Sequence, residues 1–214
     1  RAFRLSAVLL FLAVTLAAHP WKPKYYVIVD TDCGFDDFRA LNLMLASPEI
    51  RILAIITSNG VLGAEAGYFK VKSLLNDLHH EGLLVGASSD TLVRPVQCIP
   101  ASYLQWGGAT AGQEEIPTAI EIVDEVLGNI SEPVTFISLG SLNTASRCMD
   151  HCSLFAEQIE RIIWSSGSVL TDSNFNYALD PLSIENLQKY DGEITIVNGD
   201  HEHGRYTPGL AEHI

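Results

Sequence analysis

The chain has 214 residues, with 13 Lys or Arg against 26 Asp or Glu, so its formal net charge is −13. It is 47% hydrophobic and only 18% charged, which is enough apolar material for a buried core and too little charge for a disordered chain. This length suggests one domain, and the acidic balance argues against binding to nucleic acid or to an anionic membrane surface.

The first residues have the pattern of a secretory signal peptide. Arg1 and Arg4 precede a nearly apolar run over 5–16, and small residues follow that run. The run is shorter than the roughly 20 apolar residues that a membrane-spanning helix needs. We therefore expect an exported protein, periplasmic or secreted, with a cleavable signal at 1–18 and one domain over 19–214. A buried N-terminal helix and an uncleaved anchor are the alternatives.

Strand-like and helix-like segments alternate along the rest of the chain. Apolar, β-branched runs predict strands at 25–29, 52–56, 83–85, 134–139, 161–164 and 194–197. Apolar residues at helical spacing predict helices over 36–46, 64–80 and 117–127. Pro117 is expected in the first turn of the third helix. The pattern predicts an α/β fold, a mostly parallel sheet with helices on both faces and a Rossmann-like core.

The polar segments that directly follow the strands are the places to expect a ligand. In open α/β sheets, ligands bind outside the carboxyl ends of the strands. The segments concerned are 30–37, 57–63, 140–144 and 165–176. The Gly-, Pro- and Ser-containing stretch at 87–113 has no assigned secondary structure, and a connection of that length is typical of functional loops.

Four carboxylates within eight residues follow the first predicted strand. They are Asp30, Asp32, Asp36 and Asp37, with Gly34 between the two pairs. Like charges packed this closely repel, and a folded protein tolerates them best around a cation; carboxylate oxygens suit Ca²⁺ or Mg²⁺. Capping of the next helix would explain one or two of these aspartates but not four. An EF-hand loop is disfavoured, because its glycine and glutamate positions are not matched.

The order strand, Asp-Thr-Asp-Cys-Gly-Phe-Asp-Asp, helix resembles the N-terminal signature of the nucleoside hydrolases, the inosine–uridine-preferring N-ribohydrolases. Three further segments are similar to family motifs in order and character: 47–55, 139–145 and 174–181. The resemblance extends over about residues 25–197. It implies a calcium-dependent enzyme that hydrolyses the N-glycosidic bond of nucleosides to ribose and a free base.

The resemblance also implies roles for particular residues. Asp32 and Asp37 would ligate Ca²⁺ together with the main-chain carbonyl of Asn143. Asp32 would in addition take a proton from the attacking water, and Asp30 would support the ligands from behind. Asp36 would reach that water or a hydroxyl group of the ribose.

Two further residues are implied on the ribose side, Asn174 and Asn176. Asn174 departs from the family pattern, which has Glu there, so a negative charge is missing. A His–Asp pair that the family carries near its C-terminus is not identified, and the chain is therefore expected to be C-terminally incomplete. The implied partner is a small nucleoside and no nucleic acid, with a homo-oligomer left open.

Two alternatives remain at this point. A haloacid-dehalogenase-type phosphatase also places Asp-x-Asp after its first strand, but Gly34 stands where that family needs Thr or Val. A non-catalytic relative that binds metal and sugar is favoured by Asn174. Elsewhere, the Cys148–Cys152 pair around His151 is better explained as a helix end than as a metal clip.

Overall fold

The computed structural model describes residues 22–89, 112, 115–166 and 174–198. The strands in these ranges are β1 (Tyr25–Thr31), β2 (Ile50–Thr57), β3 (Leu84–Ala87), β4 (Val134–Ser138), β5 (Ile159–Ser166) and β6 (Glu193–Asn198). The helices are α1 (Phe35–Ala46), α2 (Ala64–Asp77), α3 (Ala119–Gly128), α4 (Asn143–His151), α5 (Phe155–Gln158), α6 (Phe175–Leu179) and α7 (Leu182–Asn186), followed by a 3₁₀ turn at Leu187–Lys189. The predicted signal at 1–18 and most of the 87–113 stretch lie outside the described residues.

The strands form one sheet in the order β3-β2-β1-β4-β5-β6, and every neighbouring pair is parallel. The chain therefore winds outward from β1 in one direction and then from β4 in the other. This reversal makes a topological switch point between the carboxyl ends of β1 and β4. The predicted α/β fold with a parallel sheet is confirmed.

Helices cover both faces of the sheet, as the continuous apolar strands predicted. On one face Val29 packs in a cluster with Leu41 of α1 and side chains of α2. On the other face Ile28 packs with Val123 of α3 and Ala145 of α4. Neighbouring β1 residues thus enter opposite cores, because side chains alternate across a strand. Both clusters reach the switch point, with Cys33 in one and Leu142 in the other.

Two predicted helix ends differ from the structure. Pro117 lies before α3, because Thr118 caps that helix: its hydroxyl accepts from the Glu121 N–H, and the Glu121 carboxylate accepts from the Thr118 N–H. Helix α2 ends at Asp77 rather than at residue 80, because His79 adopts a left-handed conformation with φ 60. Within the described ranges, the helices are all too short or too polar to cross a membrane.

Candidate functional site

Asp30 joins three elements at the switch point. It lies in β1 and is fully buried. Its Oδ1 accepts a hydrogen bond from Thr144 Oγ1 at 2.7 Å, and its Oδ2 accepts one from Ser58 Oγ at 3.1 Å. Thr144 belongs to the first turn of α4, which follows β4, and Ser58 directly follows β2. The carboxylate therefore links β1 to the segments that follow its two neighbouring strands. Burial raises the pKa of Asp30 to about 7, against the opposing effect of these two hydrogen bonds.

Three further aspartates converge around Gly34, the residue directly before α1. A Cβ atom placed on Gly34 would lie 2.7 Å from Asp36 Oδ1, 3.7 Å from Asp32 Oδ1 and 3.7 Å from Asp37 Cγ. The absence of a side chain at Gly34 therefore leaves a small space that three carboxylates border. Asp36 is exposed, whereas Asp32 and Asp37 are buried. Asp36 is thus the member of the group that solvent reaches.

Hydrogen bonds from the end of β1 hold Asp37 in place. Its Oδ2 accepts from Thr31 Oγ1 at 2.7 Å and from the Asp32 N–H at 3.2 Å. Burial, followed by the neighbouring Asp32 carboxylate, raises the pKa of Asp37 well above its ordinary value. Burial likewise raises the pKa of Asp32 to about 6, although a hydrogen bond from the Val61 N–H acts in the opposite direction. The fold therefore gathers carboxyl groups where water is largely excluded, and burial there disfavours their charged forms.

Two glycines let the backbone approach Asp32 from either side. A Cβ on Gly60 would lie only 2.2 Å from Asp32 Oδ2, and one on Gly140 would lie 3.3 Å from Asp32 Cβ. Gly60 belongs to the loop after β2 and Gly140 to the turn after β4. The Asp32 side chain is therefore enclosed by the loops that follow the two neighbours of β1.

The turn at 139–144 forms the second half of the site. Trp164 Nε1 donates to the Gly140 carbonyl at 2.9 Å. At the end of the turn, Asn143 Nδ2 donates to Asp180 Oδ2 at 2.6 Å. Asn176 Nδ2 donates to the Leu139 carbonyl at 2.6 Å, which fixes the start of the turn. The turn is thus held by side chains from β5 and from the segment around α6.

Asn174 caps α6. Its Oδ1 accepts from the Tyr177 N–H at 3.2 Å, and its Nδ2 donates to Ser166 Oγ at 2.8 Å. Asn176 uses its Nδ2 on a second carbonyl as well, that of Ser165, at 2.8 Å. Both amides therefore tie α6 to the carboxyl end of β5.

The predicted site residues fall into two groups at the same edge of the sheet. The structure brings Asp30, Asp32, Asp36 and Asp37 together after β1. Asn143, Asn174 and Asn176 lie after β4 and β5, where their side chains hold the turn at 139–144 and α6. The roles that the resemblance implies for these residues stay predictions.

Sequence reasoning missed the residues that support the aspartates. Ser58 and Thr144 bind Asp30, Thr31 binds Asp37, and Gly60 and Gly140 make room for Asp32. Each of them lies in or next to a segment that follows a strand, so their location was predicted. Their roles were not, because a hydroxyl or a glycine in a loop carries no chemical signature of its own.

The donor set of the aspartate group fits a hard divalent cation. Asp32 Oδ2 is buried and has no hydrogen-bond partner in the described part of the chain. Such an oxygen is costly in a charged side chain unless a cation compensates it. Within residues 22–89, 115–166 and 174–198, no group of three or more His, Cys, Asp or Glu has the arrangement of a preformed metal site. Asp32, Asp36 and Asp37 therefore offer suitable oxygens whose final arrangement would form around the ion.

The fold is a parallel α/β sheet with a group of carboxylates at its switch point. The sequence profile of the family described as inosine-uridine preferring nucleoside hydrolase matches residues 27–212, which is most of the chain. The chain belongs to this family. This membership decides against the phosphatase alternative.

Curated relatives agree with the family assignment. The non-specific ribonucleoside hydrolase RihC of Salmonella paratyphi A (strain ATCC 9150 / SARB42) is 27% identical over 170 residues, which cover 73% of this chain and 55% of the relative. The protein of the same name from Salmonella agona (strain SL483) is 28% identical with the same coverage. The chain spans about half the length of the curated relatives it matches.

Solved structures share the fold. An inosine-uridine preferring nucleoside hydrolase from Bacillus anthracis superposes with a TM-score of 0.74 at 17% identity, over 88% of this chain and 70% of that one. A plant nucleoside hydrolase gives a TM-score of 0.72 at 22% identity, over 88% of this chain and 64% of that one. At these identities the likeness establishes the architecture of the sheet and its helices.

Proposed function

We propose that this protein hydrolyses the N-glycosidic bond of ribonucleosides to ribose and a free base, with Ca²⁺ bound at the aspartate group. The observation that carries the proposal is the convergence of Asp32, Asp36 and Asp37 on the space beside Gly34, at the switch point of a nucleoside hydrolase fold. The names of the curated relatives support the ribonucleoside as substrate class. An acidic chain also attracts a neutral nucleoside better than a negatively charged nucleotide.

Asp32 and Asp37 would hold the ion, together with the main-chain carbonyl of Asn143. Carboxylate and carbonyl oxygens are the ligands that Ca²⁺ prefers. When bound, the ion would orient a water molecule and stabilise its deprotonated form. The buried oxygen of Asp32 that lacks a partner supports this assignment, because a cation would compensate its charge.

Asp32 would act as the general base. Its carboxylate is one of those that border the space beside Gly34, and a base must reach the proton that it abstracts. Without a bound ion, burial raises its pKa to about 6, so its carboxylate is a stronger base than that of an exposed aspartate. Asp30 would act from behind: it holds Ser58 and Thr144 and thereby fixes the loops on either side of β1.

The sugar would lie on the solvent side of the aspartates. Asp36 is the exposed member of the group and can accept a hydrogen bond from a ribose hydroxyl. Asn176 commits its amide nitrogen to two carbonyls, so its contact with a ribose would come from Oδ1. The transition state of glycoside hydrolysis carries positive charge on the sugar, which the surrounding carboxylates would stabilise. Asn174 would contribute to this site chiefly by placing α6.

We also propose that the protein is exported and that the basic and apolar residues at 1–18 are a cleaved signal. The support is the pattern of the sequence alone. Localisation of a C-terminally tagged chain by cell fractionation would test this, and retention of the tagged chain in the cytoplasm would contradict it.

The activity is tested by ribose release from inosine and uridine, using the full chain with Ca²⁺ and its Asp32→Asn variant. The substitution removes the charge at nearly constant volume, so we expect a fall in kcat of at least about a hundredfold. Asp77→Asn is the matched control, because Asp77 is an exposed aspartate at the end of α2. Calcium titration by calorimetry should show binding that Asp32→Asn weakens and Asp77→Asn preserves. Equal ribose release by wild type and Asp32→Asn would refute the proposal.

A further inference from the structure

Asp180 lies outside the aspartate group, yet it contacts the second half of the site. Its Oδ2 accepts hydrogen bonds from Asn143 Nδ2, at 2.6 Å, and from the Ser183 hydroxyl. Asn143 is the first residue of α4, and Asp180 is the residue directly after α6. The bond therefore joins two elements that are 37 residues apart in the chain.

The segment around α6 holds the turn at 139–144 from both ends. Asn176 Nδ2 binds the carbonyl of Leu139 at the start of the turn, and Asp180 binds the Asn143 side chain near its end. Between these two points the turn lies directly against the Asp32 side chain. A displacement of the turn would therefore reach Asp32.

The hydrogen bond to Asp180 also fixes the orientation of the Asn143 amide. A carboxylate can only accept, so the nitrogen of the amide must face Asp180. Asn143 Oδ1 then points elsewhere, and this oxygen is buried without a hydrogen-bond partner among the described residues. An unpaired buried oxygen destabilises a fold. Stability alone therefore does not explain why Asn143 is oriented in this way. We expect its hydrogen bond to Asp180 to serve another role.

We propose that Asp180 is a positioning residue for the hydrolytic site. Through Asn143 it holds the turn at 139–144 against Asp32, so that the Asn143 carbonyl keeps the direction that a metal ligand requires. Residues behind the ligands of a metal site commonly tune its affinity in this way. The inference rests on the proposed function, because it assigns Asp180 a part in that same site.

The test compares Asp180→Ala with Asp150→Ala in the full chain. Asp150 is a matched control, because its Oδ2 accepts from Asn186 Nδ2 at 2.8 Å and so links α4 to α7 without a contact to the turn in that bond. The readouts are Ca²⁺ affinity by calorimetry, kcat and KM for inosine, and amide hydrogen exchange of 139–144 without metal.

Asp180→Ala should speed amide exchange in the turn and reduce both Ca²⁺ affinity and kcat by about tenfold or more. KM should change less than kcat, because the sugar contacts lie on other residues. Asp150→Ala should leave all three readouts close to wild type. The double variant Asn143→Asp with Asp180→Asn exchanges donor and acceptor, and it should recover most of the loss.

Unchanged exchange, affinity and kcat in a folded Asp180→Ala protein would overturn the assignment. If that variant does not fold, the double variant decides: recovery of Ca²⁺ binding and kcat supports the positioning role, and failure to recover overturns it. A wild-type chain that neither binds Ca²⁺ nor splits inosine defeats the proposed function, and the role of Asp180 falls with it. A wild-type chain that does both while Asp180→Ala matches it defeats only the role of Asp180.

Discussion

Gly60→Ala should damage the site while leaving the fold intact. The new Cβ would lie 2.2 Å from Asp32 Oδ2, 2.6 Å from Asp32 Cβ and 2.7 Å from Asp32 Cγ. Ordinary contacts between such atoms begin near 3.4 Å. The whole Asp32 side chain would therefore have to move by about 1 Å, and a displacement of that size can reduce catalysis by roughly a hundredfold. Overpacking of this kind also costs about 1–3 kcal/mol of stability.

Gly63→Ala is the matched control in the same loop. A Cβ on Gly63 would meet only Asn59 Oδ1, at 3.8 Å, which is an ordinary contact. Calcium calorimetry and ribose release should therefore separate the two variants, while thermal melts report the stability of each. Wild-type Ca²⁺ affinity and kcat in Gly60→Ala would show that Asp32 does not need its present position, and the reasoning about the site would fail.

Four more predictions concern stability. Thr118→Ala should lower the free energy of unfolding by about 1 kcal/mol in chemical denaturation, because it removes the cap of α3. Hydrogen bonds from the Thr118 backbone and hydroxyl lower the pKa of Glu121. The stabilisation that they give is therefore present above the ordinary pKa of Glu and is lost as the pH falls through the lowered value. Melts of wild type and Glu121→Gln should consequently differ at neutral pH and converge as the pH falls below the lowered pKa of Glu121. Trp164→Phe should cost about 1 kcal/mol and weaken Ca²⁺ binding, because it removes the shorter hydrogen bond to the Gly140 carbonyl and leaves only that from Ser138 Oγ at 3.4 Å. Chelation should lower the melting temperature of the calcium-loaded chain, by the equivalent of about 2.7 kcal/mol at a free Ca²⁺ of 100 times Kd; no shift on chelation would contradict calcium binding.

The sequence predicted the strands well, because buried parallel strands are continuous apolar runs that few other structures produce. Strand β5 is longer than predicted, at Ile159–Ser166 rather than 161–164. The first residues of β5 include the exposed, charged Glu160 and Arg161. They interrupt the apolar run by which the strand was predicted. The short helices α5, α6 and α7 were not predicted, since four or five residues are too few to show helical periodicity.

The sequence predicted the aspartates of the candidate site but not the residues that support them. Asp30 and its neighbours are adjacent in the chain, so their shared chemistry could be read directly. Thr144 and Ser58, which bind Asp30, lie 114 and 28 positions away and are ordinary hydroxyl residues. Asp180 lies within a motif similar to the family, but its partner Asn143 became known only from the packing of α4 against the segment after α6.

The distance along the chain between Asp30 and Thr144 has a consequence for synthesis of the protein. The aspartates of the first strand are made early, but the hydroxyl that holds Asp30 is made 114 residues later. During translation the nascent chain therefore exposes several mutually repelling carboxylates before their supporting turn exists. The aspartate group can therefore reach its observed arrangement only after β4 and the start of α4 have left the ribosome.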